Sequence, residues 1–154
     1  MSKGLVIGLL FVFIGIGFKI GAFPFHAWIP DVYQGSPTPV TAYLSIAPKA
    51  AALCLFLRIV FATLSDLKSD WVWLIAALSI FSMTYGNITA IAQKNMKRLL
   101  AYSGIAQIGN ILIGMAAGTR MGGESVLFYL LTYLFANLGA FFVVIIYSNF
   151  TQKD

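Results

Sequence analysis

Charged residues are scarce in this chain of 154 residues: Lys, Arg, Asp and Glu make up 10% of it, whereas hydrophobic residues make up 60%. A soluble domain usually carries about a quarter of charged residues. The composition excludes a disordered chain, which is poor in apolar residues and rich in charge. It also excludes a soluble enzyme, because the polar residues needed to cover its surface are lacking. What remains is an integral membrane protein.

Residues of soluble catalytic and metal sites are equally few. The one cysteine, Cys54, excludes a disulfide framework, and we expect it to be a small buried apolar residue. The one histidine, His26, has no Cys, Asp, Glu or second His spaced to share a metal ion, so no metal site is predicted. No nucleophile–base set, phosphate loop or dinucleotide fingerprint occurs. The acidic residues are confined to connections and ends: Asp31, Asp66, Asp70, Glu124 and Asp154.

Long apolar runs predict the fold. Five segments are each long enough to cross a hydrocarbon core of about 30 Å, which takes about 20 helical residues. They cover approximately residues 4–28, 38–61, 71–92, 96–117 and 124–147. Thr38 is the expected N-cap of the second helix, with Pro39 in its first helical position. The predicted fold is all-α: a polytopic bundle of about five transmembrane helices, forming a single transmembrane domain over residues 1–154 that is part of a larger membrane domain.

Basic residues in the connections predict the orientation. The strongest basic cluster consists of Lys94, Lys97 and Arg98, between the third and fourth segments. The positive-inside rule assigns this cluster to the cytoplasm. Alternation of the helices then places the Pro- and Gly-rich turn region 29–39 and the C-terminus on the cytoplasmic side, and the N-terminus outside.

Two lysines lie at membrane depth. Lys19 follows about fifteen residues of the first helix, and Lys49 lies ten residues beyond Pro39, hence about 15 Å into the bilayer. A lysine at the bilayer centre costs at least ~2.5–3.5 kcal/mol, and such residues normally face a bundle interior or a hydrated path and handle ions or protons. The alternative is that each lysine is held by a structural partner.

Each lysine adjoins a helix breaker. Pro24 lacks an N–H and clashes with the carbonyl group of Ile20, and Gly21 eases deformation of the backbone there. We therefore expect the first helix to be broken near Gly21–Pro24. Pro48 directly precedes Lys49. Broken helices at mid-membrane are typical of ion-transport sites, although proline kinks without such a role also occur in membrane helices.

Other polar residues extend this pattern. His26 lies seven residues after Lys19, two helical turns along the same face, so a proton relay from Lys19 through His26 is one interpretation. A structural histidine near a helix end is the other. Ser103, Gln107 and Asn110 are spaced i, i+4 and i+7 on the fourth segment. This stripe is suited to lining a polar path for water, or to hydrogen bonding between helices.

Two motifs, together with two short stretches, resemble the antiporter-like subunits of respiratory complex I. Residues 19–42, KIGAFPFHAWIPDVYQGSPTPVTA, carry the most specific match, and residues 93–103, QKNMKRLLAYS, are similar to the connection into the next helix of that family. The stretches DVYQG (31–35) and APKAA (47–51) look most like the N-type subunit of NADH–quinone oxidoreductase. L- and M-type relatives usually carry a histidine near Ile46. The resemblance covers nearly the whole chain.

The resemblance implies a membrane subunit that translocates protons in a complex passing electrons from NADH to quinone. It assigns proton transfer to Lys19, Lys49 and His26. NADH, FMN, iron–sulfur clusters and quinone are expected in other subunits, with no cofactor bound by this chain. The expected partners are the other membrane and peripheral subunits and the lipid bilayer, not nucleic acid, and the expected location is a bacterial inner (cell) membrane, with multiple passes.

The length of the chain leaves alternatives open. The family's upstream glutamate, which pairs with the first lysine, and its downstream broken helix are missing, so we expect a fragment or split subunit that is inactive alone. The same fold also serves related hydrogenase complexes and cation/proton antiporters. A truncated fragment without function is a further alternative.

Overall fold

The computed structural model describes residues 3–64 and 68–151, and these residues form six α-helices without a strand. The helices are α1 (Lys3–Ile20), α2 (Trp28–Gly35), α3 (Thr38–Arg58), α4 (Lys68–Ile91), α5 (Met96–Ala116) and α6 (Arg120–Thr151), with a π-helical turn at Ile59–Thr63 after α3. Within the described ranges, four apolar spans are long enough to cross a membrane: Thr38–Thr63, Trp71–Ile91, Met96–Ala116 and Arg120–Phe150. The apolar part of α1, Ile7–Ile20, is shorter. The predicted all-α, polytopic bundle is confirmed. Asp66 and Asp154 lie outside the described residues.

The first helix is broken as expected, but it does not resume as part of one span. Helix α1 ends at Ile20, and Gly21 follows with φ +75°, a conformation that side-chain-bearing residues rarely adopt. The expected turn region 29–39 instead contains the short helix α2. Pro30 is compatible with that helix because it lies in the first turn, where no N–H donor is needed.

The start of α3 also differs from its prediction. The N-cap is Pro37, and Thr38 is the first helical residue, so the assignment of Thr38 as N-cap is wrong. Pro39 lies in the first turn of α3, where backbone N–H groups have no acceptor within the helix. The missing N–H of proline therefore costs no hydrogen bond. The hydroxyl of Thr41 donates to carbonyl groups preceding α3, among them that of Tyr33 at 3.2 Å. This contact ties the start of α3 to the end of α2.

Helices α4 and α5 form the most extensive helix contact among the described residues. A Cβ at Gly86 would lie 2.6 Å from the backbone nitrogen of Ala106, so this crossing requires glycine. The buried hydroxyl of Ser79 donates to the carbonyl group of Gly109 at 2.7 Å. A glycine at the crossing and a hydroxyl on a partner carbonyl are typical of membrane helix association.

Two apolar clusters form the core. The larger cluster joins α1, α3, α4, α5 and α6 and includes Phe13, Phe56, Ile75 and Leu112. The smaller cluster lies under α2 and includes Ile29, Tyr33, Tyr102 and Phe141. Cys54 belongs to neither cluster: its side chain is exposed, so the expectation that it is buried is wrong. It lies on a face of α3 that no other described element covers.

Candidate functional site

Lys49 is the most deeply buried lysine or arginine among the described side chains. It lies inside α3, directly after Pro48, and is only 1% exposed. Its amino nitrogen lies 5.5 Å from the centre of the Tyr33 ring. Among the described residues, no hydrogen-bond acceptor reaches that nitrogen. The lysine predicted at mid-membrane is therefore in the interior of the bundle, next to an aromatic ring.

A polar cluster from three helices surrounds this lysine. A Cβ at Gly104 of α5 would lie 3.5 Å from the Lys49 amino nitrogen and 3.2 Å from the Tyr133 hydroxyl, so the three groups are neighbours. The Tyr133 hydroxyl donates to the carbonyl group of Ser45 at 3.5 Å, and the Asn137 amide donates to the Ser45 hydroxyl at 2.7 Å. Tyr133 and Asn137, both on α6, were not predicted.

The broken segment ends α1 and leads into α2. The backbone N–H groups of Gly21 and Ala22 both donate to the carbonyl group of Gly17, at 2.9 and 3.0 Å. The indole of Trp28 donates to the carbonyl group of Phe18 at 3.1 Å. Pro24 lies four residues beyond the helix end, within the turn rather than inside a helix. The break thus begins at Gly21, and side chains satisfy part of the freed backbone.

Lys19 occupies a different environment from Lys49. It lies in the last turn of α1, and its side chain is exposed on the outer surface of the described chain. The structure therefore does not bring Lys19 into the cluster around Lys49.

His26 is buried in the turn between α1 and α2, with 7% of its surface exposed. Its ring lies between Phe23 and Tyr85, with centroid distances of 5.5 and 4.5 Å. Among the described residues, no group hydrogen-bonds to its Nδ1 atom. The expectation that His26 lies two turns from Lys19 on one helical face is wrong, because α1 ends before His26.

The polar stripe on α5 is divided. Gln107 and Asn110 form a hydrogen-bonded triad with Tyr129 of α6: the Asn110 amide donates to Gln107 at 3.2 Å, and the Tyr129 hydroxyl donates to Gln107. Asn110 and Tyr129 also line a cavity of about 690 Å³ between α5 and α6. Ser103 instead donates to the carbonyl group of Leu100 on its own helix, at 3.4 Å. The triad connects α5 and α6 by hydrogen bonds, which is one of the two roles that the sequence suggested for this stripe.

Charged groups join the two connections at one end of the bundle. Arg98 donates to Asp31 at 2.6 Å and to Gln34 at 3.0 Å, both on α2. Lys97 is buried and donates to the carbonyl group of Ser36 at 3.3 Å. The end of α2 and the start of α5 therefore lie on the same side, as the predicted alternation requires.

In the described part of the chain, no carboxylate forms an ion pair with Lys19 or Lys49. Asp31 pairs with Arg98, and Glu124 pairs with Arg120 on the exposed start of α6. Spacing could have revealed one unpredicted feature: Tyr129, Tyr133 and Asn137 are spaced i, i+4 and i+8, which places them on one face of α6. Tyr33 gave no such signal, because no helix was predicted there.

Comparison with known proteins identifies relatives along the whole chain. The transmembrane family described as NADH:quinone oxidoreductase/Mrp antiporter matches residues 1–154. The NAD(P)H-quinone oxidoreductase subunit 2 of Crocosphaera subtropica is 53% identical over 153 residues, which cover 99% of this chain and 29% of that protein. The subunit of the same name from Rippkaea orientalis is 52% identical and is covered to 30%.

Solved structures give the same result. A chain of respiratory complex I from Thermus thermophilus with bound aureothin matches with a TM-score of 0.74 and 42% identity, covering 91% of this chain and 30% of that chain. A chain of the membrane-bound sulfane sulfur reductase, an archaeal respiratory membrane complex, matches with a TM-score of 0.73 and 30% identity, covering 83% and 26%. The present chain thus spans about 30% of the length of the relatives it matches.

Proposed function

This chain belongs to the NADH:quinone oxidoreductase/Mrp antiporter transmembrane family, and from that premise we propose that it moves protons within a complex I-type NADH–quinone oxidoreductase. It would form the central part of a membrane subunit whose proton translocation is coupled to electron transfer from NADH to quinone. Membership of the complex follows the name of relatives that are more than 50% identical, NAD(P)H-quinone oxidoreductase subunit 2, and proton movement is our extension of it.

One observation carries the proposal: Lys49 is 1% exposed inside an apolar helix, and no described residue accepts a hydrogen bond from its amino group. A charged lysine at such a depth costs at least ~2.5–3.5 kcal/mol. A purely structural position would be better filled by an apolar side chain, since replacing buried charges by apolar residues is often stabilising. A function that requires a titratable group explains its presence.

The chain's own residues supply the parts of a proton path. Lys49 holds a proton on its amino nitrogen when charged and accepts one when neutral. Tyr133 lies beside it, and the triad of Gln107, Asn110 and Tyr129 leads towards the α5–α6 cavity. Ser103 lies on α5 next to Gly104, the residue that borders Lys49 and Tyr133. We assign Lys49 the central step and the polar groups of α5 and α6 the conducting role.

Lys19 and His26 complete the proposed set at the broken helix. His26 keeps a ring nitrogen without a partner among the described residues, which leaves it able to accept a proton. Lys19 faces outward from the described chain. Because the chain spans only about 30% of its relatives, we propose that the partner of Lys19, including any carboxylate, is supplied by a segment or subunit outside this chain.

The remaining components follow from the same proposal. NADH, FMN, iron–sulfur clusters and quinone would be held by other subunits, and this chain would be a non-redox part of the assembly that is inactive alone. Its partners would be the other membrane and peripheral subunits and the surrounding lipid. The proposed location is a bacterial cell membrane.

A second candidate is the equivalent subunit of a related membrane complex. The match to the archaeal sulfane sulfur reductase has almost the same TM-score as the match to complex I. Sequence identity favours complex I, at 42% against 30%. Purification of the assembly decides between them: copurification of NADH- and quinone-reactive subunits supports the first candidate and excludes the second.

The test replaces each membrane lysine in the assembled complex. Lys49→Ala and Lys19→Ala are expected to bring proton pumping, measured per quinone reduced in sealed vesicles, close to background. Lys94→Ala, an exposed lysine in the connection before α5, is the matched control and is expected to pump normally. Normal pumping in both membrane-lysine variants would falsify the proposal.

A further inference from the structure

We propose that the aromatic face of Tyr33 is a positioning element that holds the charged amino group of Lys49. This inference rests on the proposed function of Lys49 and adds to it the residue that fixes where the proton is held. Tyr33 belongs to α2, the short helix beyond the break, so the proposal also gives α2 a part in proton transfer.

The geometry favours the ring of Tyr33 over its hydroxyl as the contact. The Lys49 amino nitrogen lies 5.5 Å from the ring centre, within the range of a cation–π interaction. Among the described residues, neither the Tyr33 hydroxyl nor the Lys49 amino group has a hydrogen-bond partner, so the two groups are not bonded to each other. The attraction therefore comes from the face of the ring.

Burial strengthens the cation–π contact between Tyr33 and Lys49. Tyr33 and Lys49 are each only 1% exposed. A cation–π contact contributes most where both groups are removed from water. Since no described carboxylate pairs with Lys49, the ring is the described group best placed to favour the charged amine.

Neighbouring helices fix the ring in place. The Tyr33 carbonyl group accepts a hydrogen bond from Thr41 of α3 at 3.2 Å. The ring meets Phe141 of α6 edge-on, with a centroid distance of 6.4 Å. Asp31, on the same short helix, is bound to Arg98 of α5 at 2.6 Å. Contacts from three helices thus hold Tyr33 against the lysine.

Few other titratable groups approach Lys49 in the described chain. Helix α6 contributes Tyr133, next to Gly104 of α5. Tyr102 of α5 packs against Tyr85 of α4, with ring centres 6.3 Å apart. Lys97 of α5 binds the carbonyl group of Ser36. On α1, Lys19 is exposed. Among the described residues, Tyr33 and Tyr133 are therefore the titratable groups that face the lysine, and Tyr33 does so with the face of its ring.

The test compares two replacements of Tyr33 in the assembled complex, with pumping measured across a range of pH. In Tyr33→Leu, the loss of the ring removes an attraction that favours the protonated amine, so Lys49 gives up its proton more readily. The alkaline limb of the pumping profile is expected to move by about one unit towards acid pH. Tyr33→Phe keeps the ring face and is expected to retain the wild-type profile.

Controls separate positioning from packing and from the proposed function. Phe56→Leu removes a different buried ring, on α3, and is expected to leave the profile unchanged. If Tyr33→Leu does not accumulate, Tyr33→Met supplies a longer side chain without a ring, with the same expectation. An unshifted profile in the ringless variant, or an equal shift in Tyr33→Phe, overturns the inference. If Lys49→Ala loses pumping but the pH profile of Tyr33→Leu is not shifted, this inference alone is contradicted. If Lys49→Ala pumps normally, the proposed function is contradicted.

Discussion

Gly104 sets the space available to the buried amino group. A Cβ at this position would lie 3.2 Å from the Tyr133 hydroxyl and 3.5 Å from the Lys49 nitrogen. The first distance is shorter than an ordinary van der Waals contact, so a larger side chain has to displace Tyr133. The absence of a side chain at one position of α5 therefore lets polar groups of α3 and α6 meet.

We expect Gly104→Val to reduce proton pumping and to destabilise the subunit by about 1–3 kcal/mol, the usual cost of overfilling a packed interior. Thermal unfolding in detergent and pumping in vesicles measure the two effects. The matched control is Gly139→Val on α6, where a Cβ meets no atom within 4 Å. That variant is expected to be close to neutral, and equal losses in both variants would refute the specific role of Gly104.

Burial also distinguishes two lysines that the sequence presents alike. Hydropathy places both Lys19 and Lys49 at membrane depth, because depth depends on the distance along a helix. Which side of a helix faces the interior depends on its neighbours, and nearly every residue around Lys19 and Lys49 is apolar. The sequence therefore predicts a similar depth for both lysines, but it could not show that, of these two, Lys49 is buried in the described bundle and Lys19 is exposed.

At the scale of elements, the interruption between α1 and α2 depends on one backbone conformation. Gly21 has φ +75°, and a Cβ there would lie 1.8 Å from the Cδ1 atom of Ile29. The residue thus meets two constraints at once: a left-handed backbone and a close approach by α2.

We expect Gly21→Ala to destabilise the subunit by at least about 1–3 kcal/mol, because a non-glycine residue in this region is strained and its methyl group collides with Ile29. Gly15→Ala on α1, where a Cβ meets nothing within 4 Å, is the control and is expected to be neutral or slightly stabilising. Thermal unfolding of the assembled subunit distinguishes the two. Equal melting temperatures would show that the turn tolerates a side chain.

The elements themselves were predicted unevenly. The long helices α3 to α6 follow from long, mainly apolar runs, and the break follows from Gly21 and Pro24. Helix α2 was missed because its eight residues include Pro30 and lie in a Pro- and Gly-rich stretch that resembles a turn. Contacts with α3, α5 and α6 stabilise this short helix, and such tertiary contacts override local propensity.

At the scale of the whole molecule, much of the outer surface is apolar. Large side chains such as Trp73, Phe128 and Phe150 are more than half exposed, at 78, 69 and 84%. Exposed apolar surface of this extent marks contact with lipid or with other protein segments. The surface of the described bundle is therefore suited to contact with lipid or with further protein segments, and the chain spans 29% of the length of its Crocosphaera subtropica relative.

The orientation of the bundle is testable at its two ends. In a Cys54→Ser background, Lys94→Cys lies before α5, and Arg120→Cys lies at the start of α6, where the arginine side chain is 94% exposed. We expect a membrane-impermeant maleimide to label Lys94→Cys from the cytoplasmic side and Arg120→Cys from the opposite side. Labelling of both from one side would contradict a spanning α5, and exchanged sides would reverse the predicted orientation.

The eight residues of α2 act mechanically as one piece about 12 Å long. Asp31, near its start, forms an ion pair with Arg98 at the end of the bundle. Tyr33, two positions later, presents its ring to the Lys49 amine. Because these two residues are neighbours on one short helix, a displacement of α2 would change the surface ion pair and the interior amine contact together. The two contacts are therefore geometrically dependent on each other, although they belong to different ends of the path from solvent to core.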